Sequence, residues 1–144
     1  MHFAVPQPLL VCTYTNVAVD NLVEGLAQAG VRPLRVGVGA KVRAALRAHT
    51  LEAKMAAHAR QPVLAQLQAD AERLREYMQA VEGRRRAAAP YGKQEAACGR
   101  MLVRLERALE GKKGRAWAVR REMEQEIVYA ADVVRCVFYR LCAD

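Results

Sequence analysis

The sequence predicts an α/β start followed by a mostly helical body. Three observations carry that expectation. The first 40 residues show a strand, helix, strand pattern; residues 61 to 110 hold two helical runs with apolar positions at alternating steps of three and four; and strand-like sequence returns near residue 133. At 144 residues and 53% hydrophobic content, the chain has room for one domain with one core.

Leu9-Leu10-Val11-Cys12 form a short apolar run behind Pro6 and Pro8, the pattern of a strand buried on both faces in a parallel sheet. A helix follows. Asn16 is a favoured N-cap, Val17, Val19, Leu22, Val23 and Leu26 supply an apolar side, and Gly30 is a natural stop. Val31 to Val36 make a second strand, interrupted by Arg32 and Arg35 and ended by Gly37 and Gly39. Such a βαβ unit has a right-handed crossover in nearly all proteins. Residues 41–60 then read as a helical connector containing His49 and His58.

Pro62 suits the first turn of a new helix, and Leu64, Leu67, Ala71, Leu74, Met78 and Val81 trace a coiled-coil seam along it. Ala87 to Gly92, with Pro90, form a turn. A second run repeats the alternation with Cys98, Leu102, Leu105 and Leu109. Two helices of about 20 residues are each about 30 Å long, so an antiparallel hairpin is the economical arrangement. Gly111 and Gly114 weaken the helix around Lys112 and Lys113, and the helical pattern resumes through Trp117, Met123 and Ile127 before Asp132-Val133-Val134. The expected organisation is therefore 1–40, a βαβ unit; 41–60, a helical connector; 61–110, a helical hairpin; and 111–144, a helix and strand returning to the sheet, ending in a tail.

The formal charge of +8 favours a polyanionic partner, since lysines and arginines that neutralise phosphates release counterions. Cys12, Cys98, Cys136 and Cys142 show no paired spacing and no histidine at zinc distance, which points to reduced thiols rather than a metal site or a disulfide framework. No apolar run approaches the length of a bilayer span, and the first ten residues lack a charged start and a long apolar stretch, so the expected setting is intracellular, nuclear or cytoplasmic, with no membrane partner.

The junction at Tyr14, Thr15 and Asn16 carries the chemistry. A helix N-terminus following a parallel strand presents unpaired amides and a positive dipole end to an anion. Thr15 and Asn16 can donate to a phosphate oxygen, and Tyr14 can stack on a base or sugar. A plain capped helix with a packing tyrosine fits the same residues. His2, His49 and His58 have no partner at ligand spacing; the triplet Arg84-Arg85-Arg86, and Lys112-Lys113 with Arg115, Arg120 and Arg121, suit a solvated surface first and contact with nucleic acid or a protein partner second.

"LLVCTYTNVAVDNLVEGL" followed by "LRVG" resembles motif Ia and the next strand in superfamily 1 (1B) helicases of the up-frameshift, immunoglobulin-mu-binding-protein and senataxin type. That resemblance implies the first RecA-like domain of a P-loop NTPase, with a helical stalk inserted as an antiparallel hairpin. "REMEQEIVYAADVV" is similar to the helix and strand by which such a chain returns to its core. It also implies that Tyr14, Thr15 and Asn16 contact single-stranded RNA or DNA, with Thr15 and Asn16 on a phosphate, and that Asp20 and Asn21 support the motif. Tyr14 stands where the family commonly has proline.

ATP and Mg²⁺ serve the parent family through a Gly-Lys-Thr loop and an acidic motif, and neither motif is present here. Gly37-Val38-Gly39-Ala40-Lys41 lacks the spacing of a phosphate loop. The resemblance therefore implies an internal portion of a helicase, with a divergent tail from Arg135 to Cys142, no cofactor of its own and no ATP hydrolysis. The competing expectation is a helical-hairpin module that binds a protein partner.

Overall fold

The computed structural model describes residues 8–37 and 42–137, and for Arg135 to Val137 the backbone alone. His2, the run from Val38 to Lys41 and the tail from Phe138 lie outside the described residues. Within them the chain is mostly helical with a small parallel sheet. It divides into two compact units, one of residues 1–59 with 122–144 and one of residues 60–121.

The first unit is built on strands β1 (Leu9–Thr13), β2 (Pro33–Val36) and β3 (Val133–Val137). Strand order is β1-β3-β2, every pairing is parallel, and Leu9 and Pro33 both stand in register with Val133. The sequence predicts that a strand near residue 133 returns to the sheet without saying where it pairs. In the structure β3 separates β1 from β2, which suits parallel strands because their connections need not join neighbours. Burial of β1 on both faces is also corrected: Leu9, Leu10 and Cys12 are exposed, since β1 is an edge strand whose pairing stops at β3. By contrast Pro33, Leu34 and Arg35 of β2 are buried.

Helix α1 (Asn16–Gln28) joins β1 to β2. Thr15, not Asn16, is its N-cap: Thr15 is extended at φ −133° and ψ 149°, and its Oγ1 accepts from the Ala18 amide at 3.2 Å. Threonine in the extended region is also a favoured cap, and Asn16 becomes the first helical residue. At the far end Gly30 takes φ +76°, a left-handed conformation in which a side chain is strained, and the Val31 amide closes back on Leu26 O at 3.0 Å.

Side chains in β2 alternate between two apolar clusters, as the pleat requires. Leu34 packs with Ile127, Ala131 and Val134, with Leu51 and Met55 against them. Its neighbour Arg35 turns the other way, toward α1, whose Val19 and Val23 cluster with Val42 and Leu46. A 3₁₀ turn (Ala44–His49) and helix α2 (Leu51–Ala56, capped by the Thr50 hydroxyl) complete the connector.

The second unit consists of helix α3 (Gln61–Ala87) and most of helix α4 (Lys93–Tyr129). The seam residues of α3 are buried or half-buried, and so are Cys98, Leu102, Leu105 and Leu109. Side chains meet across the two helices as Asp70 with Lys112, Tyr77 with Met101 and Arg85 with Glu95. The expected weakening at Gly111 and Gly114 does not interrupt α4, which runs unbroken through both. A helical glycine costs only about 1 kcal/mol against alanine, and 37 residues of ladder absorb two of them.

Arg32 and Asp132, 100 positions apart, tie the entry of β2 to the entry of β3. Asp132 accepts from the Arg32 amide at 2.9 Å, from Nε at 3.1 Å and from Nη2 at 2.7 Å, while its own amide donates to Arg32 O at 3.0 Å. The guanidinium bonds, then the amide, hold the Asp132 carboxyl below the usual carboxylate range. Bonding to Lys112, then Gln66, lowers Asp70 in the helical unit. A lowered carboxylate binds fewer protons folded than unfolded, so its stabilisation is complete above the ordinary value of about 3.9 and is lost as pH falls through the folded value. Asp132→Asn is therefore expected to lower the urea midpoint at pH 7, with the difference from wild type narrowing as pH falls below the ordinary carboxylate value of about 3.9; a difference independent of pH would refute the clamp.

Candidate functional site

The N-terminus of α1 lies at the carboxyl end of β1, where open parallel sheets place their ligands. Val19 N makes the first intrahelical bond, to Thr15 O at 3.2 Å, and the Ala18 amide is taken by the Thr15 hydroxyl. The amides of Asn16 and Val17 come before the ladder and point out of the helix end. Thr13 Oγ1 donates to Thr15 O at 3.2 Å and steadies the turn. Tyr14, at its apex, is 89% exposed.

Beneath this turn is a charge network that the sequence reading passed over. Arg35 is fully buried, and its Nε donates to Asp20 Oδ1 at 3.0 Å. Its Nη2 donates to Asn16 Oδ1, also at 3.0 Å. Asp20 in turn accepts from the Arg43 amide at 3.4 Å and stands 3.8 Å from Arg43 Nε. Arg43 reaches Glu24 at 3.0 Å and bonds Asn21. Asp20 thus bridges two arginines, and Asn21 holds the second.

This network orients Asn16. A guanidinium has donors and no acceptor, so the Asn16 atom facing it is the carbonyl oxygen, and both Nδ2 protons remain available to another acceptor. With the Asn16 and Val17 amides and the Thr15 hydroxyl, the turn concentrates donors at the positive end of a helix. Such a set is chemically complementary to an anionic oxygen.

Tyr14, Thr15 and Asn16 lie together at the turn, while Asp20 and Asn21 sit one helical turn in and face the Arg35 and Arg43 side chains. Arg35 was read as an interruption of a strand. The available signal was its complement: Asn16, Val19, Asp20 and Val23 share one helix side, so a carboxylate lay within an apolar stripe and required a cation opposite.

Among the described residues no group of three His, Cys, Asp or Glu could hold a metal ion, and no helix is long and apolar enough to cross a membrane. His58 Nε2 stands 3.2 Å from Glu126 Oε2, a partner that spacing in the sequence did not reveal.

The AAA domain family matches residues 2–138, nearly the whole chain. No curated protein matches the sequence.

Removing one member of a buried ion pair strands the other charge, at a cost of about 3–5 kcal/mol. Arg35→Leu is accordingly expected to lower the unfolding free energy by that order, and Arg35→Leu with Asp20→Leu to recover part of the loss. Denaturation of the two variants measures this; a single variant no worse than the double would refute the network.

Proposed function

Because this chain belongs to the AAA domain family, as a superfamily 1 helicase-type domain, we propose that α1 carries its contact with the backbone of single-stranded RNA or DNA. Thr15 and Asn16 hold a phosphate, Tyr14 stacks on the adjoining base or sugar, and Asp20 and Asn21 keep the turn and the segment at Arg43 in place. One observation supports this reading above the others: the Arg35 guanidinium takes the Asn16 carbonyl and leaves its amide protons as donors beside the helix N-terminus. A helix that needed only a cap had one in Thr15, so that orientation of Asn16 is surplus to capping.

The up-frameshift, immunoglobulin-mu-binding-protein and senataxin type remains our reading of subtype, carried by the motif at residues 9–37. Residues 60–121 then form the antiparallel hairpin of its stalk. The pairs Asp70 with Lys112, Tyr77 with Met101 and Arg85 with Glu95 support that assignment, since numbers rise along α3 as they fall along α4. We assign ATP and Mg²⁺ to motifs that this sequence does not contain, and no nucleotide hydrolysis to residues 1–144.

A second reading, a helical module that docks a protein, has one observation in its favour. A groove of about 560 Å³ between α3 and α4 is lined by Met78, Gln79, Leu102 and Val103 among others.

Binding of fluorescent single-stranded oligonucleotides to the full chain, across a salt series, separates the two. Asn16→Ala is expected to weaken binding about tenfold or more at every salt concentration, as the loss of a hydrogen bond to a charged group implies. Thr15→Ser, which keeps the hydroxyl and the cap, is expected to leave it unchanged. Full affinity in Asn16→Ala would sink the assignment to α1, and no salt-sensitive binding of the oligonucleotide by the full chain would favour the docking module.

A further inference from the structure

The net charge of the chain is concentrated in one of its units. Residues 60–121 hold 15 of the 23 lysines and arginines but only 7 of the 15 aspartates and glutamates. The remaining residues hold eight of each, so the whole excess of +8 belongs to the helical unit. Within it, the basic side chains are of two kinds.

Those of α3 are matched by acids, except Arg84, whose Nε donates to Ala80 O at 3.4 Å and whose guanidinium lies over the Tyr77 ring. Arg73 stands 3.9 Å from Asp70, Arg86 is 3.4 Å from Glu82, Arg85 is 3.8 Å from Glu95, and Arg75 pairs with Glu72. On α4, Lys113 takes Glu110 at 2.7 Å, and Lys112 takes Asp70.

Arg100, Arg104 and Arg107 are of the other kind. All three are exposed, and none has a hydrogen-bond or ion-pair partner among the described residues. At steps of four and three they occupy one helix face, one turn apart, with Lys93 two turns before them and Arg115 two turns after. Before Glu122 the acidic residue of α4 nearest that face is Glu110, three positions after Arg107, and it pairs with Lys113; the other residues filling the face are small, Ala96, Ala97 and Gly111 among them. Like charges at these spacings work against their own helix by about 0.2–0.5 kcal/mol per pair. An ordinary solvated face avoids that cost by interleaving acids, as α3 does. Five cations are spread over about 33 Å of helix, a length along which roughly ten phosphates of one strand would lie.

We propose that this face of α4 is a second nucleic-acid surface, an electrostatic track for the phosphate backbone formed by Arg100, Arg104 and Arg107 and extended by Lys93 and Arg115. It reads no sequence, because guanidiniums on phosphates fix position and carry no base information. It stands independently of the contact assigned to α1, and the two differ in their response to salt.

The test compares two charge-matched triple variants of the full chain, using fluorescence anisotropy with one oligonucleotide over a salt series. Arg100→Ala with Arg104→Ala and Arg107→Ala is expected to reduce the slope of log K against log salt by about 2 and the affinity at 0.1 M salt roughly a hundredfold, the loss of three phosphate contacts. Arg73→Ala with Arg75→Ala and Arg86→Ala removes the same charge from paired positions and is expected to change the slope by less than about 1. Alanine favours helix, and circular dichroism verifies that both variants fold. An unchanged slope in the first variant, or equal changes in both, overturns the proposal. So does competition by poly-glutamate as strong as that by nucleic acid, which would make the partner an acidic protein. Asn16→Ala changes affinity without changing the slope, so failure of the α1 contact is told apart from failure of this one.

Discussion

The ion pair between Arg35 and Asp20 joins β2 to α1 where water does not reach, and neither charge is tolerable there without the other. Its reach explains why so much is arranged around it. From Asp20 the network passes to Arg43 and so holds the backbone at that residue; from Arg35 it passes to Asn16 and so fixes the first residue of α1. An apolar pair of equal volume would pack α1 on the sheet at least as well. It would not set the rotation of an asparagine at the helix end. The buried charge is therefore better understood as a device for orientation than as a source of stability, and the donor-rich turn above it is what it orients.

Much of this was legible in the sequence. Periodicity gave the seams of α3 and α4, because a three-four alternation of Leu, Ala, Met and Val has one helical interpretation. Pro62 and Gly30 marked a start and a stop for reasons fixed by their backbones. The strand order was not legible. Nothing local in Val133 to Val137 says that they insert between β1 and β2, since parallel strands carry no turn to declare their neighbour. Burial of β1 was misjudged for the same reason: an apolar run does not record whether its sheet continues beyond it.

The site was half legible. Tyr14, Thr15 and Asn16 stood out as a strand-to-helix junction, but propensity could not choose between Thr15 and Asn16 as the cap, because both side chains accept from the same amides. Arg35 was missed because residues were weighed one element at a time. The stripe at Arg100, Arg104 and Arg107 was hidden differently. Sequence shows all the basic residues of α4 alike, whereas their partners, or lack of them, are a property of three-dimensional pairing. Composition gave the total charge without its address.

The position of β3 also constrains how the first unit is made. Its central strand is the last of the three along the chain, and the clamp from Arg32 to Asp132 joins residues 100 positions apart. During synthesis β1, α1 and β2 leave the ribosome with no strand between them, while α3 and α4 can wind and pair through contacts close in sequence. Closing so long a loop costs entropy before any ladder bond repays it, so the helical unit shortens the search by gathering most of the intervening residues into one ordered body. The helical unit, which lies between β2 and β3 along the chain, thus bears on how the sheet is completed.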